Sequence, residues 1–341
     1  MPKTPTQADV ANLAGVSRST VSIVLNNRRG RAISITEETR CKVVEAAKQL
    51  GYEPNALARS LRSGLSHTIG VLIPNLYNLH YLELLEGIEQ ELTDQGYHLA
   101  LVVTNFDPER ERSCFYSLFQ QRLDGLILMP TFWDLFPAEM AMLAERGNPA
   151  VFLPAETAGV DWVAPDIRMG AEQLMDHLLT LGHRRIGFIN GVARANLTLT
   201  RQAVYKEKLT AAGVVIDRDL ICTCAPTMAD GYQAALQLLS LNPPPTAIWT
   251  INDLLAVGVQ RAVQSCGLSI PADVAVAGFD DTAIAAQLYP PLTSVHLPAQ
   301  LMGKRATQIL LQRIREPECE PMREILPTAL VIRQSTNPVA A

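Results

Sequence analysis

No run of about 18 consecutive apolar residues occurs in the 341-residue chain, so no transmembrane helix is expected. The N-terminus lacks a basic segment followed by an apolar run and a cleavage site, so no secretion signal is expected either. Cysteines are few, at Cys41, Cys114, Cys222, Cys224, Cys266 and Cys319. Cys222 and Cys224 form a C-x-C and no C-x-x-C pair exists, which argues against zinc or a disulfide framework and for buried thiols in a cytosolic protein. The histidines (His67, His80, His98, His177, His183 and His296) show no metal-ligand spacing. His183, in Leu-Gly-His-Arg-Arg, reads as part of a structural turn. No Ser/His/Asp signature and no phosphate loop is present, so neither catalysis nor a cofactor is expected.

What is present begins with length. At 341 residues the chain is too long for one core, and two or three domains are expected. A hydrophobic content of 48% suits well-buried globular domains. The formal charge of -5 is unevenly spread: residues 1–65 carry ten Lys/Arg against five Asp/Glu, a net of +5, leaving -10 for the rest. A basic head on an acidic body confines phosphate attraction to the head.

That head contains a helix-turn-helix pattern from Thr6 to Leu25. Thr6 and Asp9 have capping-box spacing. Val10, Leu13 and Ala14 are expected to form one apolar face, and Gly15 ends the helix in the left-handed cap conformation. Ser17 caps a second helix whose Val21, Val24 and Leu25 point back at the first. Ser17, Arg18, Ser19, Ser22 and Ile23 then lie outward or at the helix start, where a recognition helix meets base edges. The loop Asn26–Ile33 carries Arg28, Arg29 and Arg31, which suit either phosphate contacts or a solvated basic loop. A third helix is expected from about Thr36 to Leu50, packing Val43, Val44, Ala47 and Leu50. Pro54 blocks its extension, and Asn55 caps a two-turn helix over Ala56–Arg62, too short to be stable alone.

From Thr68 apolar strands alternate with helix-like segments, in one set to Leu153 and a second from about Trp162 to Gly278. Continuous apolar strands between helices predict two doubly wound parallel sheets. Ligands then bind at the carboxyl ends of the strands, in a cleft between two such lobes.

Several blocks, in their order and spacing, resemble the lactose-repressor/galactose-repressor (LacI/GalR) family over nearly the whole chain. They are D-V-A-x-x-A-G-V-S-x-x-T-V-S at Asp9–Ser22, G-Y-x-P-N-x-x-A-R-x-L at Gly51–Leu61, T-I-G-V-L-I-P at 68–74 and D-G-L-I-L at 124–128. Further on stand L-G-H-R-R-I-G-F-I at 181–189, N-D-x-x-A-x-G at 252–258, G-F-D-D at 278–281 and P-P-L-T-S-V at 290–295. The resemblance implies an α/β protein: an all-α helix-turn-helix DNA-binding domain at 1–50, a hinge helix and linker at 51–66, and a two-lobed periplasmic-binding-protein-like core at 67–341. The lobes are expected at about 67–163 with 295–324, and 164–292 with 325–341, with crossovers near 162–166, 291–295 and 323–328.

The same resemblance implies a cytoplasmic transcriptional regulator, not an enzyme, and its partners: double-stranded operator DNA, a small effector and a second copy of the chain, with no membrane. Thr6, Ser17, Arg18, Ser19, Thr20, Ser22, Ile23, Asn26, Asn55, Ala58 and Leu61 fall at DNA-contact positions. Leu61 either wedges into the minor groove or packs on its dimer mate. Ile23 stands where the family often has Arg, so an apolar contact replaces a bidentate one worth about 1–3 kcal/mol. The Asn27–Ile35 loop is longer than usual, and no Leu heptad follows Thr336, so a dimer rather than a tetramer is expected.

Effector contacts fall at Asn75, Tyr77, His80, Tyr81, Arg201, Asn252 and Asp280, some of the aromatics being core residues. Asp166 is either a contact or structural. Asn252 is read as the ligand contact and Asp253 as the helix cap. These polar groups suit a sugar or sugar phosphate. Leu197, Pro226, Leu297 and Ala299 at other contact positions make the pocket more apolar and leave a nucleoside or aromatic glycoside open. A repressor of a carbohydrate operon is the leading reading. An activator or corepressor-dependent regulator stays open, while a solute-binding transport protein is disfavoured by the basic head.

Overall fold

The computed structural model describes residues 5–25, 35–52, 65–132, 137–154, 159–191 and 196–336. The chain divides into two units, Met1–Ser66 and His67–Ala341. In the first unit, α1 (Gln7–Ala14), α2 (Arg18–Leu25) and α3 (Glu37–Leu50) share one small core. The Asp9 carboxylate accepts the Thr6 backbone N–H at 2.8 Å and its hydroxyl at 2.6 Å, satisfying a donor that the helix start leaves open. Gly15 stops α1 with φ +66°.

The apolar faces are phased differently from the sequence expectation. Val10 and Ala11 are buried on α1 while Leu13 is 51% exposed; on α3, Val43, Ala46 and Ala47 are buried while Val44 is 51% exposed. Small alanines in the contact face let helices approach closely, which turns the larger neighbours outward. The cysteines also differ from expectation. All six are free thiols, with Cys41 and Cys266 exposed and the others half-buried, because Cys41 sits on the outer face of α3 and Cys266 at a helix end.

The second unit holds two six-stranded sheets. The first orders β11-β5-β4-β3-β1-β2, with β1 at Thr68–Ile73, β2 at His98–Val103, β3 at Gly125–Leu128, β4 at Ala150–Phe152, β5 at Asp161–Pro165 and β11 at Arg323–Leu326. All its pairings are parallel. The second orders β12-β10-β9-β8-β6-β7: β6 Ile186–Asn190, β7 Ile221–Thr223, β8 Ala247–Thr250, β9 Ala275–Asp280, β10 Thr293–His296 and β12 Ala329–Val331. Only β12, against β10, runs antiparallel.

Both faces of β1 are buried. Ile69, Val71 and Ile73 join one cluster and Leu72 the other, the alternation that a doubly covered strand requires.

Helices α4 (Leu79–Asp94), α5 (Pro108–Gln120), α6 (Pro137–Arg146) and α11 (Ala299–Arg315) serve the first lobe. Helices α7 (Ile167–Thr180), α8 (Asn196–Ala211), α9 (Met228–Leu239) and α10 (Asp253–Ser265) serve the second. Each lobe has one very close helix pair. A Cβ on Gly87 of α4 would lie 2.0 Å from the Gln300 carbonyl oxygen, and one on Gly303 of α11 would lie 2.1 Å from that of Leu84. The second lobe repeats the device with Gly231 of α9 against Leu255 and Gly258 of α10 against Met228.

The chain passes between lobes after β5, after β10 and after β11. Thr293–His296 pair in the second sheet, so the second crossover lies a few residues later than expected, while the third runs between Leu326 of the first sheet and Ala329 of the second. The crossovers meet at one point. A Cβ on Gly170 would come within 2.5 Å of Val295 Cγ1 and 2.8 Å of Thr328 Oγ1. No described helix is long and apolar enough to cross a membrane.

Candidate functional site

Helix α2 begins with hydroxyls that bond one another. Ser17 Oγ accepts the Thr20 backbone N–H at 3.1 Å and lies 2.6 Å from Ser19 Oγ and 2.9 Å from Thr20 Oγ1. Val21 and Val24 are buried, which leaves Ser17, Arg18 and Ser19 exposed and Thr20, Ser22 and Ile23 half-buried. Thr6 is exposed at the start of α1. A cation and several hydroxyls at an exposed helix N-terminus make a surface suited to phosphates and base edges. Asn26, Asn55, Ala58 and Leu61 lie outside the described residues.

The second site lies between the lobes at the carboxyl ends of the strands. Between β1 and α4, Asn75 Oδ1 accepts the backbone N–H groups of Tyr77 and Asn78, each at 2.9 Å. This folds the turn that presents Asn78, whose Oδ1 caps α4 through the His80 N–H at 3.1 Å. The other end of the Asn78 amide crosses the cleft, where Nδ2 donates to Asp280 Oδ2 at 2.9 Å. Glu83 of α4 also faces the second lobe, where burial raises its pKa and the Ala283 backbone opposes the rise.

Arg201 and Asp280 are both buried here, and the guanidinium lies 4.1 Å from the centre of the Phe279 ring. Burial lowers the Arg201 pKa to about 10, with Asp280 and Tyr81 opposing the shift. Burial raises that of Asp280, while His80, Arg201 and Asn78 hold it down. The His80 imidazole is driven toward its neutral form by burial, with Asp280 opposing and Arg201 and His296 adding to the effect. Tyr81 is held protonated by burial. Tyr77 is 78% exposed and outside this cluster.

Two expected contacts serve helix starts. Asp166 Oδ1 accepts the Met169 N–H at 2.9 Å, capping α7, while its backbone bonds Leu326 and Thr328 at the third crossover. Asn252 Oδ1 accepts the Leu255 N–H at 2.9 Å, so Asn252, not Asp253, caps α10. Asp253 is instead wholly buried. Its carboxylate accepts Ser294 Oγ at 2.6 Å, the Thr282 N–H at 2.7 Å and Thr282 Oγ1 at 3.0 Å. Ser294 Oγ in turn accepts the Asp281 N–H at 3.1 Å.

These bonds hold a turn in which Asp280 has φ +100° and Asp281 φ +52°, a conformation that costs a non-glycine residue free energy. Burial and the nearby Asp280 raise the Asp253 pKa to about 8. Leu297 and Ala299 lie in the hydrophobic cores of the two lobes. Of the residues that shape the cleft, Asn78, Thr282 and Ser294 were not anticipated. Their signal lay in the turn after β1 and in the G-F-D-D and P-P-L-T-S-V blocks.

Residues 6–55 match the model of bacterial regulatory proteins of the lacI family, and residues 175–336 that of the periplasmic binding protein-like domain. The chain is 36% identical to the ribose operon repressor of Escherichia coli (strain K12) over 332 residues, covering 97% of this chain and 99% of that one. The chain belongs to the LacI family.

This LacI-family chain is also 34% identical over 321 residues to the HTH-type transcriptional repressor PurR of Vibrio cholerae, covering 92% of each. Among solved structures it is similar to a Lac repressor dimer bound to operator and the anti-inducer ONPF, with TM-score 0.85 and 28% identity over 98% of this chain and 99% of that one. It is likewise similar to a complex of the transcriptional regulator CelR with cellobiose, with TM-score 0.72 and 31% identity over 97% and 99% of the two chains. The protein is thus a ligand-responsive, DNA-binding transcriptional regulator. As a LacI-family member it reads DNA with the helical head and senses its ligand in the interlobe core.

Proposed function

We propose that the protein is a cytoplasmic homodimeric repressor of a carbohydrate-utilisation operon, with a sugar or sugar derivative as its effector. The observation that carries this reading is the burial of Arg201 and Asp280 in one cleft, where the Asn78 amide reaches Asp280 from the other lobe. A guanidinium offers only donors and a carboxylate only acceptors, so together they grip neighbouring hydroxyls, which are both. The cellobiose complex and the ribose operon repressor among its relatives support the same class. Catalysis plays no part in this reading.

In the head, Arg18 and Ser19 are the base readers, and Ile23 offers an apolar contact suited to a thymine methyl. In the core, a hydroxyl arriving at Asp280 replaces the Asn78 amide. The effector then sets the angle between the lobes and, through the dimer, the spacing of the heads. Operator fragments from the neighbouring promoter, titrated with the full-length protein with and without ribose or cellobiose, test the reading. A sugar-dependent change in operator affinity is expected; affinity unchanged by any sugar overturns it.

A further inference from the structure

Three links join the lobes, and each carries a proline. The first passes from Pro165, the last residue of β5, to Asp166. The second is Leu297 and Pro298, between β10 and α11, and the third is Pro327 and Thr328, between β11 and β12. Proline fixes its own φ, so little of the chain in these links can bend. A change of lobe angle is then taken up where the links touch one another.

They touch at the start of α7. The Asp166 N–H donates to the Leu326 carbonyl oxygen at 2.8 Å, and the Asp166 carbonyl oxygen accepts Thr328 Oγ1 at 2.8 Å, so the first and third links are bonded together. The second strand meets them at Gly170, where a Cβ would lie 2.5 Å from Val295 Cγ1 and 2.8 Å from Thr328 Oγ1. Gly170 is inside α7 and has no left-handed backbone that calls for a glycine. Glycine weakens a helix interior relative to alanine; here the close approach is what requires it. A bare Cα against a methyl group forms no directional bond, so this contact is free to slide.

Val295 joins that contact to the sensing turn. It pairs with Phe279 of β9, and the Arg201 guanidinium lies over the Phe279 ring. One residue earlier, Ser294 Oγ donates to Asp253 and accepts the Asp281 N–H. Two residues later, the Leu297 N–H donates to the Asp280 carbonyl oxygen at 3.2 Å. A push on Val295 therefore reaches the cleft wall and the second link together, because a close-packed interior transmits strain.

We infer that Gly170 is the bearing on which the lobes turn, and that a side chain there resets the lobe angle, and with it operator affinity, without touching effector or DNA. This rests on the reading above that lobe angle sets the spacing of the heads, and it does not require the effector to be a sugar.

The full-length dimer without effector, titrated into a labelled operator fragment from the neighbouring promoter, tests this. Gly170→Ala should change operator affinity at least about tenfold, and its small-angle scattering profile should differ from that of the parent. Adding Val295→Ala removes the methyl group that the new Cβ meets, and should return affinity to within about threefold of the parent. Val295→Ile enlarges the same contact from the other side by one carbon. It should shift affinity in the same direction as Gly170→Ala by at least about threefold, and it carries the test if Gly170→Ala does not fold. Gly187→Ala overpacks the same lobe away from the links, with a Cβ 2.9 Å from Leu238 Cδ1. That variant should melt lower and bind operator as the parent does.

Parental operator affinity and parental scattering in folded Gly170→Ala, or parental affinity in Val295→Ile where Gly170→Ala does not fold, would overturn the bearing. So would a change that Val295→Ala fails to relieve or that Gly187→Ala reproduces. Altered scattering with parental operator affinity would overturn the step from lobe angle to the heads, here and in the reading above. The sugar titrations of that reading are decided separately, since no sugar enters this experiment.

Discussion

Asp253 shows how one carboxylate can govern another. It touches the turn that follows Asp280, and through Thr282, Ser294 and the Asp281 N–H it holds that turn in its left-handed form. Folding raises its pKa from an ordinary 3.8 to about 8, so the folded chain binds the extra proton between those values. Stability from this group is therefore greatest near pH 4 and declines as the pH rises to about 8. We expect the melting temperature of the ligand-free core to fall over that range and Asp253→Asn to flatten the slope, as thermal scans across pH would show. Asp253→Ala should cost about 1–3 kcal/mol for each donor it strands, and should weaken effector binding by releasing Asp280. In the head, Asp9→Ala should lower stability by about 1 kcal/mol by opening the Thr6 cap, measurable by denaturant titration. The Asn252–Asp253 dipeptide was visible in the sequence, but the division of labour within it was not. Both residue types cap helices, and only the tertiary placement of Thr282 and Ser294 separates them.

At the scale of elements, the alternation of strands and helices was legible because the central strands β1, β3, β6, β8 and β9 are buried along nearly their whole length and rich in apolar residues. The seventeen-residue helix α11 escaped notice because it lacks a start signal. Its cap position is Pro298, with no side-chain bond to the first turn, and a glycine interrupts its interior. That glycine is functional packing. Gly303→Ala would push a Cβ to 2.1 Å from the Leu84 carbonyl oxygen, and backbone cannot yield as a side-chain tip can. A loss of about 2–3 kcal/mol is expected, and Gly258→Ala should behave likewise in the other lobe, both read from chemical denaturation. The phase of α1 and α3 was misread for a related reason: in a three-helix head the closest contacts fall on alanines, and a hydrophobicity pattern favours leucine and valine.

For the whole molecule, the paired sites imply linkage. If the effector changes operator affinity by some factor, operator must change effector affinity by the same factor, typically about 5–150-fold. Titrating the effector with and without operator DNA should show that its affinity changes, and an effector affinity that operator leaves unchanged would contradict coupling between the two sites. The two lobes contribute to the sensing site in different ways. The second lobe supplies Asp280 from a left-handed turn locked by buried bonds, a position where most side chains are strained whatever their chemistry. The first lobe supplies its groups from a turn and the start of α4, where ordinary backbone carries Asn78, His80 and Tyr81. A biosensor built on this scaffold should therefore be retuned along that one helical turn, with the opposite wall left as a fixed reference electrode for whatever new compound is chosen.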